Sequence, residues 1–261
     1  MADAFPLRIE REQRVARLVL SRPASGNAID LAMAEALSDA AARLDLDDDV
    51  RCVVLGGEGR LFCGGGDVRA FAAAGPDAAG VIKAVTGHLH SALARFARME
   101  KPLVTLAHGP AAGAGLSLLC AGDIVLAARS AHFTSGYSAV GLTPDGGLSW
   151  RLPRLIGLRR AQEMILTNRR IGAEEAAAIG LVTEAVDDAV LAERGTWIAQ
   201  RLARSATGAL GRSRQLLLCS YSTPLETQME LESREISVAA ATAHGQEGLR
   251  AFCEKREPDF A

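Results

Sequence analysis

Apolar and polar positions alternate in the first segment of the chain and recur with helical spacing in the next. The segment from Leu7 to Ser21 alternates around a polar turn at Glu10 to Gln13 and predicts a β-hairpin. A helix is predicted from Leu31 to Leu44, with Asp30 as its N-cap. Its apolar stripe consists of Met33, Leu37, Ala40 and Leu44.

Further strand-like and helical runs alternate along the chain and indicate the α/β class. Short apolar runs at Cys52 to Leu55, Leu103 to Ala107 and Ile124 to Ala127 predict strands, and a helix is predicted between Gly75 and Met99. From Leu191 onward the pattern indicates helices only. We therefore predict a core over residues 1–200 and a helical region over residues 201–261.

Two glycine-rich turns carry the candidate chemistry. The first is Cys63-Gly64-Gly65-Gly66-Asp67, and the second runs from His108 to Gly115; each follows an apolar strand-like run. A residue without a side chain lets another molecule approach the backbone N–H groups. Two N–H groups that converge on one oxygen would form an oxyanion hole.

Six motifs in order resemble the crotonase superfamily, the enoyl-CoA hydratase/isomerase family, with a pattern similar to its phenylacetate-type members. They are Leu20-Ser21-Arg22-Pro23 with Asn27-Ala28-Ile29-Asp30, the two turns, Cys120 to Ile124, Pro144 to Gly147, and Leu152 to Gly157. The resemblance covers nearly the whole chain. It implies a crotonase-type β-β-α spiral core with a C-terminal helical region, assembled as a homotrimer or hexamer. It also implies an acyl-CoA substrate, with coenzyme A as part of that substrate and no separate cofactor.

The same resemblance assigns the oxyanion-hole N–H groups to Gly66 and Ala114. Ser117 and Tyr137 stand where hydratases of the family have their two catalytic glutamates. Neither side chain is an effective base near neutral pH, so two-glutamate hydration is not expected.

Asp145 matches a catalytic aspartate found in a subset of the family that includes dienoyl-CoA isomerases and 4-chlorobenzoyl-CoA dehalogenases. It is equally suited to cap a helix over residues 146–152. His90 lies at the margin of the apolar helix stripe, where it is either a partly exposed structural histidine or an acid/base group.

Substrate contacts are expected mainly from residues in or near the motifs. The candidates are Arg22, Ala28, Gly64, Gly65, Asp67, Gly115, Ser117, Tyr137 and Lys255. Arg22 and Lys255 match regions where relatives contact the phosphates of CoA, but each can equally be interpreted as a solvated surface charge. Asp67 is a candidate cap of the first turn, and Cys63 is interpreted as structural.

Composition narrows the function classes. A net charge of −2 does not indicate binding to nucleic acid or to a membrane surface. The first 20 residues lack an apolar signal region, which predicts a cytoplasmic protein. Five scattered cysteines predict free thiols and no metal site, and the absence of a G-x-G-x-x-G spacing argues against NAD.

Three functions follow as hypotheses. The first is an enoyl-CoA isomerase or isomerase-like hydratase in which the hole stabilises a thioester enolate and Asp145 moves the proton. The second is a dehalogenase or thioester hydrolase with Asp145 as nucleophile and His90 as base. Gly66 and Tyr137 stand where the dehalogenase has aromatic residues, which argues against this second function. The third is a CoA-ester binding protein without turnover.

Overall fold

The computed structural model describes residues 5–260. Its main sheet has six strands in the order β1-β2-β3-β4-β6-β9, antiparallel between β1 and β2 and parallel elsewhere. A smaller sheet has the order β5-β7-β8. The strands are β1 Leu7–Glu12, β2 Val15–Leu20, β3 Cys52–Gly57, β4 Leu103–Ala107, β5 Ala111–Ala112, β6 Ile124–Ala128, β7 His132–Thr134, β8 Ile171–Gly172 and β9 Glu184–Val186.

Helices cover both faces of the main sheet and form the whole C-terminal part. They are α1 Leu31–Leu46, α2 Val68–Ala73, α3 Ala78–Arg98, α4 Ala114–Leu119, α5 Leu148–Ile156, α6 Leu158–Thr167, α7 Ala173–Ala178, α8 Leu191–Ala203, α9 Thr207–Cys219, α10 Leu225–Ala241 and α11 Ala243–Glu254. None of the helices over residues 5–260 is long and apolar enough to cross a membrane.

The predicted hairpin is confirmed, but its turn lies further along the chain than expected. Strand β1 continues through Glu10, which pairs with Arg17, and the turn is the two-residue step at Gln13 and Arg14. Gln13 has a φ of 53°, a left-handed conformation that reverses the chain. The polar residues before it face outward on β1, whose only buried residue is Leu7.

The sheet separates two apolar cores because its strand residues alternate between faces. Val53 and Leu55 of β3 join one core with α1 and α3, whereas Cys52 and Val54 join the other with α8. The cap and stripe predicted for α1 are confirmed: Asp30 accepts the Met33 N–H at 2.9 Å, and the stripe is buried.

Helix α8 spans residue 200, where the sequence placed the domain boundary, and belongs to the sheet core through Ile198, Ala199 and Ala203. The first helix beyond the sheet is α9. It is held to the end of α3 by Arg214, which donates to the carbonyl oxygens of Phe96 at 2.7 Å and Lys101 at 3.2 Å.

Candidate functional site

The two glycine turns lie against each other. Cys63 donates its N–H to Pro110 O at 3.3 Å and accepts the Ala112 N–H at 3.0 Å, which ties one turn to the other. Gly65 has a φ of 102°, and a Cβ added there would lie 2.8 Å from Ala112 O. The close approach of the turns therefore requires glycine at this position.

The backbone N–H groups of Gly66 and Ala114 have no acceptor among residues 5–260. Ala114 is the first residue of α4, where an N–H has no partner within the helix. Both residues line the same cavity, which has a volume of about 460 Å³. The two donors that the resemblance selected are thus free and lie on one cavity.

The cavity wall is mostly apolar and is built from both turns, α2, α3 and the segment from residue 136 to 145. The lining residues are Ile29, Gly64, Gly65, Gly66, Val68, Phe71, Ile82, Val85, Thr86, Leu89, His90, Ala112, Gly113, Ala114, Gly136, Tyr137, Val140, Leu142, Thr143 and Asp145. The α3 residues Ile82, Val85 and Leu89 form one side of this cavity.

Asp145 does not cap a helix, so the capping interpretation is wrong. The N-cap of α5 is Gly147, and the structure has no side-chain cap there. Gly146 and Gly147, with φ of 60° and 77°, turn the chain between Asp145 and the helix. The carboxylate is instead at the cavity, where Oδ1 accepts a hydrogen bond from the Tyr137 hydroxyl at 2.5 Å.

Ser117 and Tyr137, which the resemblance matches to the two glutamate positions, form one network with Asp145. The Ser117 hydroxyl donates to Asp145 O at 2.9 Å and lies 3.1 Å from the Tyr137 hydroxyl. Burial, followed by the negative charge of Asp145, raises the pKa of Tyr137 well above its usual value. Tyr137 therefore keeps its proton at neutral pH and acts as a donor to the carboxylate.

His90 lies beside the second carboxylate oxygen. Its Nε2 is 3.7 Å from Asp145 Oδ2, and the side chains of His90 and Asp145 are 51% and 23% exposed. Nε2 accepts the Gly146 N–H at 2.9 Å, so the Nε2 lone pair is engaged in this geometry. Gly146 was missed as a site residue; the Asp-Gly-Gly triplet was the available signal.

Several predicted contact residues lie outside the cavity wall formed by residues 5–260. Arg22 pairs with Asp30 at 2.9 Å and Asp67 at 3.3 Å, and donates to Ala28 O at 2.5 Å. Asp67 also caps α2, the helix that follows the first turn, by accepting the Ala70 N–H at 3.1 Å. Arg22 therefore links the segment of residues 22–30 to the first glycine turn.

The predicted contacts Gly64, Gly65 and Tyr137 line the cavity, whereas Gly115, Ser117 and Lys255 do not. Gly115 is a packing position, because a Cβ there would lie 2.2 Å from Cys63 O. Ser117 is fully buried behind Tyr137. Lys255 ends α11 with a φ of 55°, far along the chain from the turns.

Cys63 has no activating partner. Its thiol is fully buried and donates to Asn27 O at 3.1 Å, and burial raises its pKa to about 12. His108 Nε2 lies 3.1 Å from Gly59 O. Among the described residues, no group of three or more His, Cys, Asp or Glu side chains is arranged to hold a metal ion.

The sequence and structure match known proteins over nearly their full length. The family described as enoyl-CoA hydratase/isomerase matches residues 10–261. The chain is 37% identical over 251 residues to 1,2-epoxyphenylacetyl-CoA isomerase of Escherichia coli (strain K12), covering 95% of each protein. It is 31% identical over 249 residues to 4-chlorobenzoyl coenzyme A dehalogenase-2 of Arthrobacter sp, covering 95% of this chain and 90% of the relative. The crystal structure of an enoyl-CoA hydratase from Polaromonas sp. JS666 superposes with a TM-score of 0.93 at 32% identity, covering 97% of this chain and 98% of that one.

Proposed function

Because the chain belongs to the enoyl-CoA hydratase/isomerase family and is an acyl-CoA enzyme of that family, we propose that it is an isomerase that moves a proton along the acyl chain. The predicted family and crotonase fold are confirmed by the family match and the structural superposition. The names of the relatives divide between isomerase, hydratase and dehalogenase, so the names alone do not assign the reaction.

The oxyanion hole supplies the main stabilisation. The thioester oxygen binds between the N–H groups of Gly66 and Ala114, and both hydrogen bonds strengthen as removal of an α or γ proton turns the thioester into an enolate. Removing one such donor typically lowers the rate by about 100 to 1,000-fold. No cofactor is needed for this step, since coenzyme A belongs to the substrate.

Asp145 carries the proton. The observation that supports this role is the position of its carboxylate, which faces the cavity with Oδ1 held by Tyr137 rather than capping α5. Because one carboxylate oxygen is occupied by a permanent donor, the other is the atom available to accept and return a substrate proton. Tyr137 is a positioning residue in this scheme.

A hydrolytic reaction is the second candidate, and one distance favours it. His90 Nε2 lies 3.7 Å from Asp145 Oδ2, close enough to activate a water against an ester formed on Asp145. Against it, the Nε2 lone pair is already used by the Gly146 N–H, and that bond must break before His90 acts as a base. A CoA-ester binding protein without turnover is the third candidate, supported by the two missing glutamates.

The deciding experiment is a screen in D₂O over crotonyl-CoA, a 3-enoyl-CoA and an aromatic acyl-CoA, followed by NMR and mass spectrometry. An isomerase converts the 3-enoyl-CoA and introduces deuterium into the acyl chain. A single turnover in ¹⁸O-labelled water distinguishes the hydrolytic alternative, because the label would enter the Asp145 carboxylate. Thioesters that bind without deuterium exchange or conversion would refute the isomerase.

A further inference from the structure

The cavity wall carries few ionisable side chains. Among the residues that line it, Asp145 and His90 are the only acidic or basic side chains, and neither lysine nor arginine is present. Resting on the acyl-CoA function above, we propose that this cavity selects uncharged, apolar acyl groups and rejects acyl chains that end in a carboxylate.

The apolar part of the wall comes from three separate segments. Helix α2 contributes Val68 and Phe71, helix α3 contributes Ile82, Val85 and Leu89, and the segment after Tyr137 adds Val140 and Leu142. Phe71 packs directly on the oxyanion turn, since a Cβ added to Gly66 would lie 2.8 Å from its ring. An acyl chain that leaves the hole therefore meets hydrocarbon on several sides.

A terminal carboxylate would find no cation in this space. Burying an ionised carboxylate without a partner is strongly unfavourable, and Asp145 adds like-charge repulsion. His90 does not offer Nε2 as a donor to such a carboxylate in this geometry, because that nitrogen accepts the Gly146 N–H. The nearby Arg22 is already paired with Asp30 and Asp67. An apolar chain gains affinity in the same space, by about fourfold for each buried CH₂ group.

Calorimetry with the wild-type protein tests the selectivity without requiring turnover. Hexanoyl-CoA and adipoyl-CoA are saturated, share the same carbon count and differ in one terminal carboxylate, and free CoA provides the baseline. We expect hexanoyl-CoA to bind more tightly than CoA, and adipoyl-CoA to bind about tenfold or more weakly than hexanoyl-CoA. Equal affinity of the two thioesters would overturn the selectivity and leave the isomerase standing. Failure of CoA and hexanoyl-CoA to bind would overturn the acyl-CoA function itself.

A matched pair of variants extends the test. Ile82→Lys adds a cation to the cavity wall, whereas Ala84→Lys adds the same charge to an exposed position on the same helix that does not line the cavity. Ile82→Lys should reduce the preference for hexanoyl-CoA by about tenfold, and Ala84→Lys should leave it unchanged. The same shift in both variants would mean that overall charge, and not the cavity wall, sets the preference.

Discussion

Replacing Asp145 with asparagine separates its chemistry from its contribution to stability. The side chain makes no cap to α5, and its one close hydrogen bond is from the Tyr137 hydroxyl at 2.5 Å. The asparagine carbonyl still accepts that bond and fills the same volume. What is lost is the negative charge and the ability to take a proton.

The structure gives different magnitudes for the two effects. A hydrogen bond to a charged group contributes about 1.5–3 kcal/mol and a neutral one about 0.5–1.5 kcal/mol, so the free energy of unfolding should fall by about 1 kcal/mol. Turnover should fall by roughly 100 to 10,000-fold, equivalent to about 2.7–5.5 kcal/mol in the activation barrier. Acyl-CoA binding should survive, because the oxyanion hole is intact.

The assay combines steady-state kinetics on the substrate identified by the screen, calorimetric binding and denaturant unfolding. Asp123→Asn is the control for losing a carboxylate outside the cavity. Asp123 is similarly exposed, accepts the Leu103 N–H at 2.7 Å and pairs with Arg214 at 2.8 Å. It should lose stability and keep its turnover. Near-normal turnover in Asp145→Asn would refute the roles of Asp145 as proton carrier and as nucleophile.

Three further predictions concern the hole, the assembly and the thiols. Ala114→Pro removes one donor at a first-turn helix position that tolerates proline, so turnover should fall by about 100-fold or more. Ala114→Ser keeps the N–H and should retain activity. Equal turnover rates in the two variants would exclude this N–H as a donor. In the monomer, α10 buries only Gln228 and leaves apolar residues such as Leu225, Met229 and Ile236 exposed. Sedimentation at micromolar concentration should therefore show a trimer or hexamer, and a monomer would contradict that assembly. Burial raises the pKa of Cys52, Cys63 and Cys120 to about 12, so these thiols should not react with iodoacetamide at pH 8 in the folded protein. Mass spectrometry should map the modification to Cys219 and Cys253 alone. Rapid modification of Cys63 would show that its thiol is accessible.

Local patterns predicted the elements that local interactions determine. The α1 helix and its Asp30 cap follow from neighbouring residues, and the strand runs match the observed β3, β4 and β6 within a few residues. The hairpin turn was predicted too early in the chain, because exposed polar residues continue a strand as readily as they form a turn. The Asp145 cap was wrong because two left-handed glycines, Gly146 and Gly147, separate the carboxylate from the helix.

The site could be predicted only in part, since its parts are distant in sequence. The family pattern assigned the two oxyanion-hole donors to Gly66 and Ala114, and both residues line one cavity in the structure. Their role as donors to a thioester stays a prediction. The network of Ser117, Tyr137 and Asp145 joins residues up to 28 positions apart. It depends on how α4 packs against the segment before α5, and no spacing rule encodes that contact.

The most direct test of the account is a crystal structure with a bound, non-reacting acyl-CoA. If Gly66 and Ala114 form the oxyanion hole, the thioester oxygen lies about 2.7–3.1 Å from the backbone nitrogens of both residues, and the acyl chain passes Asp145. A complex in which the thioester oxygen lies far from both nitrogens would contradict it.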